Sequence, residues 1–288
     1  MKNISLVLVL ALSLLACTNE TSESTTDQPQ SYRIISLSGF LTEVLFDLGY
    51  GGQIVATDVT SSYPAATGDI PKLGHITQLN AEAILEMQPD YIFLEENQLN
   101  QTEVLSALEL SGIKIVPVAT SHQLSNAIQA GLQIQQYLDT PQAALEQMRS
   151  RITRDSLQLV KMLEKVEDPA RVLFIYARGA GRLMVGGRGT SAEAMIKLAG
   201  AENAITAFAD FKPLTPEALL EAAPEVILMF STGLESLDGK EGLAQITGIP
   251  QTTAFQNDRI IAMDGHYLTA FGPRAGAAAL ELAQRLYP

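Results

Sequence analysis

Cysteine is all but missing from this 288-residue chain: Cys17 is the one copy, and it lies near the N-terminus. Tryptophan is absent, and histidine occurs three times, as His75, His122 and His266. With Cys17 claimed by the N-terminal segment described below, thiolate metal sites, cysteine nucleophiles and disulfides are excluded from the rest. Such a chain must rest on its hydrophobic core, and roughly 260 residues are ample for one or two domains. Positive charge is also scarce, with 19 Lys+Arg against 32 Asp+Glu and a net charge of -13. That balance argues against holding nucleic acid or anionic lipid through charge. Catalytic signatures are missing too: there is no G-x-x-x-x-G-K-[ST], no H-E-x-x-H, and no Ser in a G-x-S-x-G setting. Gly179-Ala180-Gly181 begins like a dinucleotide loop, but Met184 stands where the third glycine is required. This stretch reads instead as a hairpin running into the N-terminus of the helix "TSAEAMI". Glu95 and Glu96 are adjacent on an extended segment and so point to opposite faces, which makes them a strand exit. An enzyme would need a base and an orienting partner in one pocket, and no second member can be named. An extracytoplasmic enzyme is therefore the rival class and not the expected one.

The N-terminus reads "MKNISLVLVLALSLLAC". One Lys precedes an apolar run too short for an ordinary spanning helix, the pattern of a secretory signal. Its L-L-A-C ending resembles the bacterial lipobox, in which the Cys becomes the first residue and carries lipid. Residues 1–17 are accordingly read as a lipoprotein signal peptide with a lipidated Cys17. More than one acyl chain makes such anchoring stable, at about 0.8 kcal/mol per buried methylene. Residues 18–30, "TNETSESTTDQPQ", are polar and acidic and cannot form a core. They read as a flexible tether. The protein is expected in the cell envelope, exported and lipid-anchored, facing the periplasm or the cell surface, and touching membrane only through that anchor.

From Ser31 onward, short β-rich runs alternate with helical patterns. "RIISL", "QIVATD", "YIFLE" and "KIVPVA" read as strands separated by helices, and "RVLFIYA", "VILMF" and "DRIIAMD" repeat the scheme later. Such alternation predicts βα units around largely parallel sheets. The two runs also match in detail. Leu79-Asn80-Ala81-Glu82-Ala83-Ile84-Leu85-Glu86 aligns with Leu214-Thr215-Pro216-Glu217-Ala218-Leu219-Leu220-Glu221, and Pro89 and Pro224 follow at the same offset. Between them, Leu145, Met148, Ile152, Leu159, Leu163 and Val166 recur at helical spacing. With Thr140 as N-cap, Pro141 at the first helical position and Asp168-Pro169 as stop, the helix should run about 26 residues, near 39 Å. The expected organisation is an α/β lobe over 31–138, a linking helix over 139–168 and a second α/β lobe over 169–288.

Two Rossmann-like lobes with mainly parallel sheets, joined by one long helix behind a lipid anchor, resemble a class of ABC-importer substrate-binding proteins. That class carries haem, cobalamin and ferric siderophores. "RIISLSGFLTEVLFDLG" and "LGHITQLNAEAILEMQPDYIF" look like its opening segments. Within it, "VATDVTSSYPAA", "GGRGTSAEAMIKLAGAENA", "FKPLTPEALL" and "AFGPR" are most similar to periplasmic haem-binding proteins. The resemblance implies a monomeric carrier that takes haem (hemin) as transported ligand, without a catalytic cofactor, and delivers it to an ABC permease dimer with its ATPase subunits. Nucleic acid has no part in it. Cobalamin or a ferric siderophore on the same fold is the alternative. Cobalamin in this class is usually bracketed by aromatic rings including Trp, which this chain lacks.

The loop "TSSYP" carries the cargo reading. A free phenol titrates near 10 and is a poor ligand at neutral pH, yet ferric iron favours anionic oxygen and Tyr is a known axial ligand of haem. Pro64 restricts Tyr63 to extended backbone. The resemblance makes Tyr63 the iron ligand and Lys212 the cation opposite it, since a nearby positive charge stabilises a phenolate. Arg178 is a candidate for a propionate, with Tyr176 beside it and His75 as a further pocket-lining residue. Arg274 reads as structural or rim-lining, and His122 as a helix lead-in. His266 and Tyr267 are the reserve ligands. Glu82 and Glu217, at one offset in both runs, align with the carboxylates by which this class docks onto its permease. A carboxylate in a first helical turn is also favoured by the helix dipole alone, by about 0.3–1 kcal/mol.

Overall fold

The computed structural model describes residues 31–101 and 104–288. Cys17, the signal segment and the tether lie outside the described residues. Ten strands are present among those described: β1 (Ile34–Ser36), β2 (Ile54–Thr57), β3 (Tyr91–Glu95), β4 (Lys114–Val118), β5 (Arg171–Ala177), β6 (Leu183–Gly186), β7 (Glu202–Asn203), β8 (Phe211–Pro213), β9 (Val226–Phe230) and β10 (Ile260–Met263). The first four form a sheet in the order β2-β1-β3-β4, parallel throughout. The second sheet runs β10-β9-β5-β6-β8, with β7 also on β5. Its β10, β9, β5 and β7 pair in parallel, and β6 and β8 add an antiparallel edge. Strands β1 and β9 are buried on both faces, as parallel strands covered by helices must be. In the first sheet Ile34 and Phe93 face one core while Ile35, Ile92 and Leu94 face another.

The linking helix spans Gln142–Leu163, 22 residues, and is shorter than its hydrophobic spacing suggests. At the start, the Thr140 hydroxyl is engaged elsewhere: it donates to Leu138 O and lies 3.2 Å from the Tyr50 hydroxyl, so it caps nothing. Leu145, Met148 and Ile152 enter the core of the first sheet, and Leu159 enters that of the second. One amphipathic seam thus belongs to both lobes. The C-terminal helix Ala275–Leu286 packs across it at Gly276, where an added Cβ would lie 2.9 Å from the Asp155 Cβ. Residues 31–288 form one compact unit.

The sequence repeat is also a repeat of hydrogen bonds. Arg33, entering β1, donates its side chain to Met87 O at 2.6 Å and its backbone N–H to Asp90 Oδ2 at 2.8 Å. Arg171, entering β5, donates its side chain to Ala222 O at 2.8 Å and its N–H to Glu225 Oε2 at 2.9 Å. The short helices Ala81–Glu86 and Pro216–Ala222 are each followed by a residue in the left-handed region, Gln88 and Ala223. Asn80 Oδ1 accepts from the Ala83 N–H at 3.1 Å, and Thr215 Oγ1 from the Ala218 N–H at 3.2 Å. Both lobes therefore fix the same helix on the same strand pair with the same kinds of bond.

Candidate functional site

Ligands of open parallel sheets bind at the carboxyl ends of the strands, and here both sheets point those ends at one cleft of about 1030 Å³. From the first lobe come Ser38 and Phe40 after β1, Thr60 and Ser62 after β2, Glu95 closing β3, and His122 after β4. The second lobe contributes Tyr176 and Arg178 from β5, Phe230 closing β9, and Asp264 and His266 after β10. The volume lies at the upper end of the roughly 300–1,000 Å³ usual for small-molecule and cofactor sites. Among the lining residues Arg178 is the one Lys or Arg, so the cleft is poorly suited to a polyanion.

The loop after β2 is built around the buried Asp58. Its Oδ2 accepts from the Thr60 N–H at 3.0 Å and from the Thr60 hydroxyl at 2.5 Å, and its Oδ1 accepts from the Ser61 hydroxyl at 2.6 Å. Thr42 bonds Ser61 at 2.8 Å, and Lys72 Nζ donates to Ser61 O at 2.6 Å. Paired hydroxyls ahead of Tyr63 thus serve as internal ties. They hold the loop so that Thr60 and Ser62 reach the cleft; Tyr63, the next residue, is 44% exposed and is not itself among the lining residues. The Tyr63–Pro64 peptide is cis.

One face of the Tyr63 ring is covered by Arg274, whose guanidinium carbon sits 3.6 Å from the ring centroid. Arg274 also lies 4.9 Å from the Tyr267 ring centroid. Its orientation is set by Glu43 of the opposite lobe: Nε donates to Oε2 at 2.9 Å, and Nη2 donates to Oε1. His266 Nε2 approaches the same Oε1 at 3.0 Å without hydrogen-bond geometry. Burial pushes the Glu43 carboxyl up, but the Arg274 and His266 contacts outweigh it and hold it below its ordinary value. Burial acts against the Arg274 charge, and the Glu43 bonds more than restore it. Gly39 makes the lobe contact possible, because a Cβ there would lie 2.3 Å from His266 Cε1 and 2.7 Å from Thr60 O. Behind this cluster the buried Asn126 donates to Phe271 O at 3.3 Å, a second bond between the lobes.

The sequence candidates separate into three groups. Tyr63, His266 and Tyr267 converge on the Glu43–Arg274 pair. Tyr176 and Arg178 line the cleft together, with Arg178 stacked 5.4 Å from the Tyr176 ring centroid. Tyr63, Tyr267 and the remaining candidates stand outside the cleft lining. Lys212 lies on the edge strand β8 with Nζ 4.7 Å from the Phe208 ring centroid. Its neighbour Phe211 lies 6.2 Å from Tyr176 and, by strand alternation, points the other way. His75 caps the short turn Ile76–Gln78. Glu82 and Glu217 are exposed in the first turns of the duplicated helices. Burial, with Glu281 nearby, pushes the Tyr267 phenol up to about 12, which makes it a weak source of phenolate.

Sequence reasoning missed Glu43. A lone carboxylate among Phe40, Leu41, Val44 and Leu45 on a buried helix face was the available signal, since a buried charge demands a partner. His122 is more than a lead-in: it lines the cleft with its ring 5.3 Å from Phe271. Glu95, at the strand exit, accepts from the Ser38 hydroxyl at 2.6 Å and lines the cleft.

Among solved structures, the chain is similar to the periplasmic heme-binding protein RhuT from Roseiflexus sp. RS-1 in apo form, at 32% identity and TM-score 0.82, covering 90% of this chain and 98% of that one. It is also similar to the periplasmic heme-binding protein BhuT in complex with two hemes, at 31% identity and TM-score 0.83, covering 89% and 98%. A curated relative, the vitamin B12-binding protein of Vibrio parahaemolyticus, is 24% identical over 99% of this chain and 96% of its own length. The two-lobe α/β architecture is that of the class III substrate-binding proteins. The periplasmic binding protein family model matches residues 34–267, and this chain is a member of that family.

Proposed function

We propose that this protein captures haem in the cleft between its lobes, with Tyr63 as the iron ligand, and delivers it unchanged to the permease dimer of an ABC importer. The observation that carries this reading is the Tyr63–Arg274 stack, which adjoins the cleft-lining Ser62 in sequence and the cleft-lining His266 through Glu43. A phenol ligating ferric iron must bind as phenolate, and a guanidinium fixed against the ring by a buried carboxylate offsets that negative charge. Phe40, Tyr176 and Phe230 give the cleft apolar walls for a planar macrocycle. Arg178, the one Lys or Arg of the cleft lining, meets one propionate. Lys212 packs on Phe208 outside the lining, and the role of the cation opposite Tyr63 falls to Arg274 instead. His266 is the reserve ligand; the Tyr267 ring, 4.9 Å from the Arg274 guanidinium carbon, supports Arg274. Glu82 and Glu217 present the loaded protein to the permease, one to each subunit. Lipid on Cys17 would tether the carrier to its membrane, where it works as a monomer. The solved haem-binding relatives, each covering about nine-tenths of this chain, support the cargo.

The curated B12-binding relative gives cobalamin its specific support as the second reading. Calorimetric titration of the soluble protein with hemin and, separately, with cyanocobalamin distinguishes the two. Saturable heat with hemin and none with cyanocobalamin is expected, and the same curve counts haems per chain. The reverse pattern overturns the haem assignment and leaves the transport role standing.

A further inference from the structure

Each duplicated helix carries a leucine between two carboxylates: Glu82, Leu85, Glu86 on one lobe and Glu217, Leu220, Glu221 on the other. Residues three and four apart share a helix face. The neighbouring Ile84 and Leu219 are buried and hold each helix to its lobe, whereas Leu85 is 41% exposed and Leu220 83%. Each helix ends beside the start of a central strand, where Met87 O and Ala222 O accept from Arg33 and Arg171. A single exposed leucine is ordinary. The same leucine on both copies of an element fixed by matching arginine bonds is a presented feature.

We infer that Leu85 and Leu220 are the apolar anchors of permease docking, each seated in an apolar depression on one permease subunit and ringed by basic groups facing the flanking carboxylates. The inference rests on the docking role given above to Glu82 and Glu217. Duplication matches the occupant, because two equivalent patches fit a surface built from two equivalent subunits. Charge excludes the competitors: four carboxylates around the leucines repel both an anionic membrane surface and a second copy of this acidic chain. An apolar contact that sheds its water inside a polar ring is also the arrangement that concentrates binding energy in few residues.

The test uses the importer's permease–ATPase complex in nanodiscs and measures binding of the loaded protein by interferometry. Leu85→Ser and Leu220→Ser should each weaken binding about tenfold, equivalent to about 1.4 kcal/mol, with losses that add in the double variant. Leu157→Ser, at an exposed leucine on the linking helix, should bind as wild type, and thermal melting checks that all variants fold. Equal weakening by Leu157→Ser overturns the inference. If Glu82→Ala and Glu217→Ala weaken binding while the duplicated-helix leucine variants stay within twofold of wild type, the leucine anchors are overturned and the carboxylate docking stands. If the glutamate variants bind normally, the docking reading itself fails, whatever the leucines do.

Discussion

Replacing Glu43 by Gln removes one charge from the centre of the lobe contact and leaves its shape nearly intact. In the native protein this buried carboxylate takes both forks of Arg274 and faces His266 at 3.0 Å. Removing one partner of a buried pair costs about 3–5 kcal/mol. The Arg274 side chain keeps 27% of its exposure, and glutamine retains one acceptor, so about 2–3 kcal/mol is expected here. At roughly 2–4 °C per kcal/mol for a chain near this size, the melting temperature at pH 7 should fall by about 4–12 °C. The sign of the pH dependence follows from the lowered Glu43 pKa. A carboxyl whose folded pKa is depressed contributes stability in full above its unfolded value and loses it as pH falls through the folded value. The gap between wild type and Glu43→Gln, read by calorimetric melting, should therefore be full at pH 7 and narrow as pH falls below the ordinary carboxylate value of 4.5. Equal melting temperatures at pH 7, or a gap of the same size at pH 3, would refute the assignment of Glu43 as a charged lobe latch.

Arg274→Lys keeps the positive charge but loses the planar fork and the flat stack. A cation–π contact at a part-exposed site is worth about 0.5–1 kcal/mol, so hemin affinity by titration should fall about two- to fivefold; unchanged affinity would contradict the role given to the stack. Gly39→Ala drives a methyl into His266 and Thr60 O, and small-angle scattering should show a wider apo protein with weaker hemin binding, whereas unchanged scattering would mean the contact is soft. Asp58→Asn weakens three bonds that order the Tyr63 loop; hydrogen exchange at Thr60 to Ser62 should accelerate by an order of magnitude, in line with about 1–2 kcal/mol of lost protection.

The alternation of strands and helices from Ser31 made both parallel sheets legible, because apolar runs bounded by helical patterns admit few other arrangements. The duplicated segment around Glu82 and Glu217 was equally plain, since matched side chains sit on matched elements. Strands β7 and β8 were not: they are two and three residues long, and their pairing depends on tertiary placement. "TSSYP" pointed to Tyr63 through its chemistry, but the hydroxyls of Thr60 and Ser61 turned out to bond Asp58, a role that spacing alone does not reveal. Choosing which cation meets the phenol lay beyond sequence. Lys212 and Arg274 each follow an aromatic residue near a proline, and only the way the lobes meet brings Arg274, 231 residues from Glu43, onto the Tyr63 ring.

Absorption spectroscopy of the hemin complex of Tyr63→Phe, beside wild type, tests the central claim most directly. A high-spin ferric spectrum with a phenolate charge-transfer band in wild type, lost in the variant, is the predicted result. The same band persisting in Tyr63→Phe would mean that another oxygen holds the iron, and the cargo site described here would be misplaced.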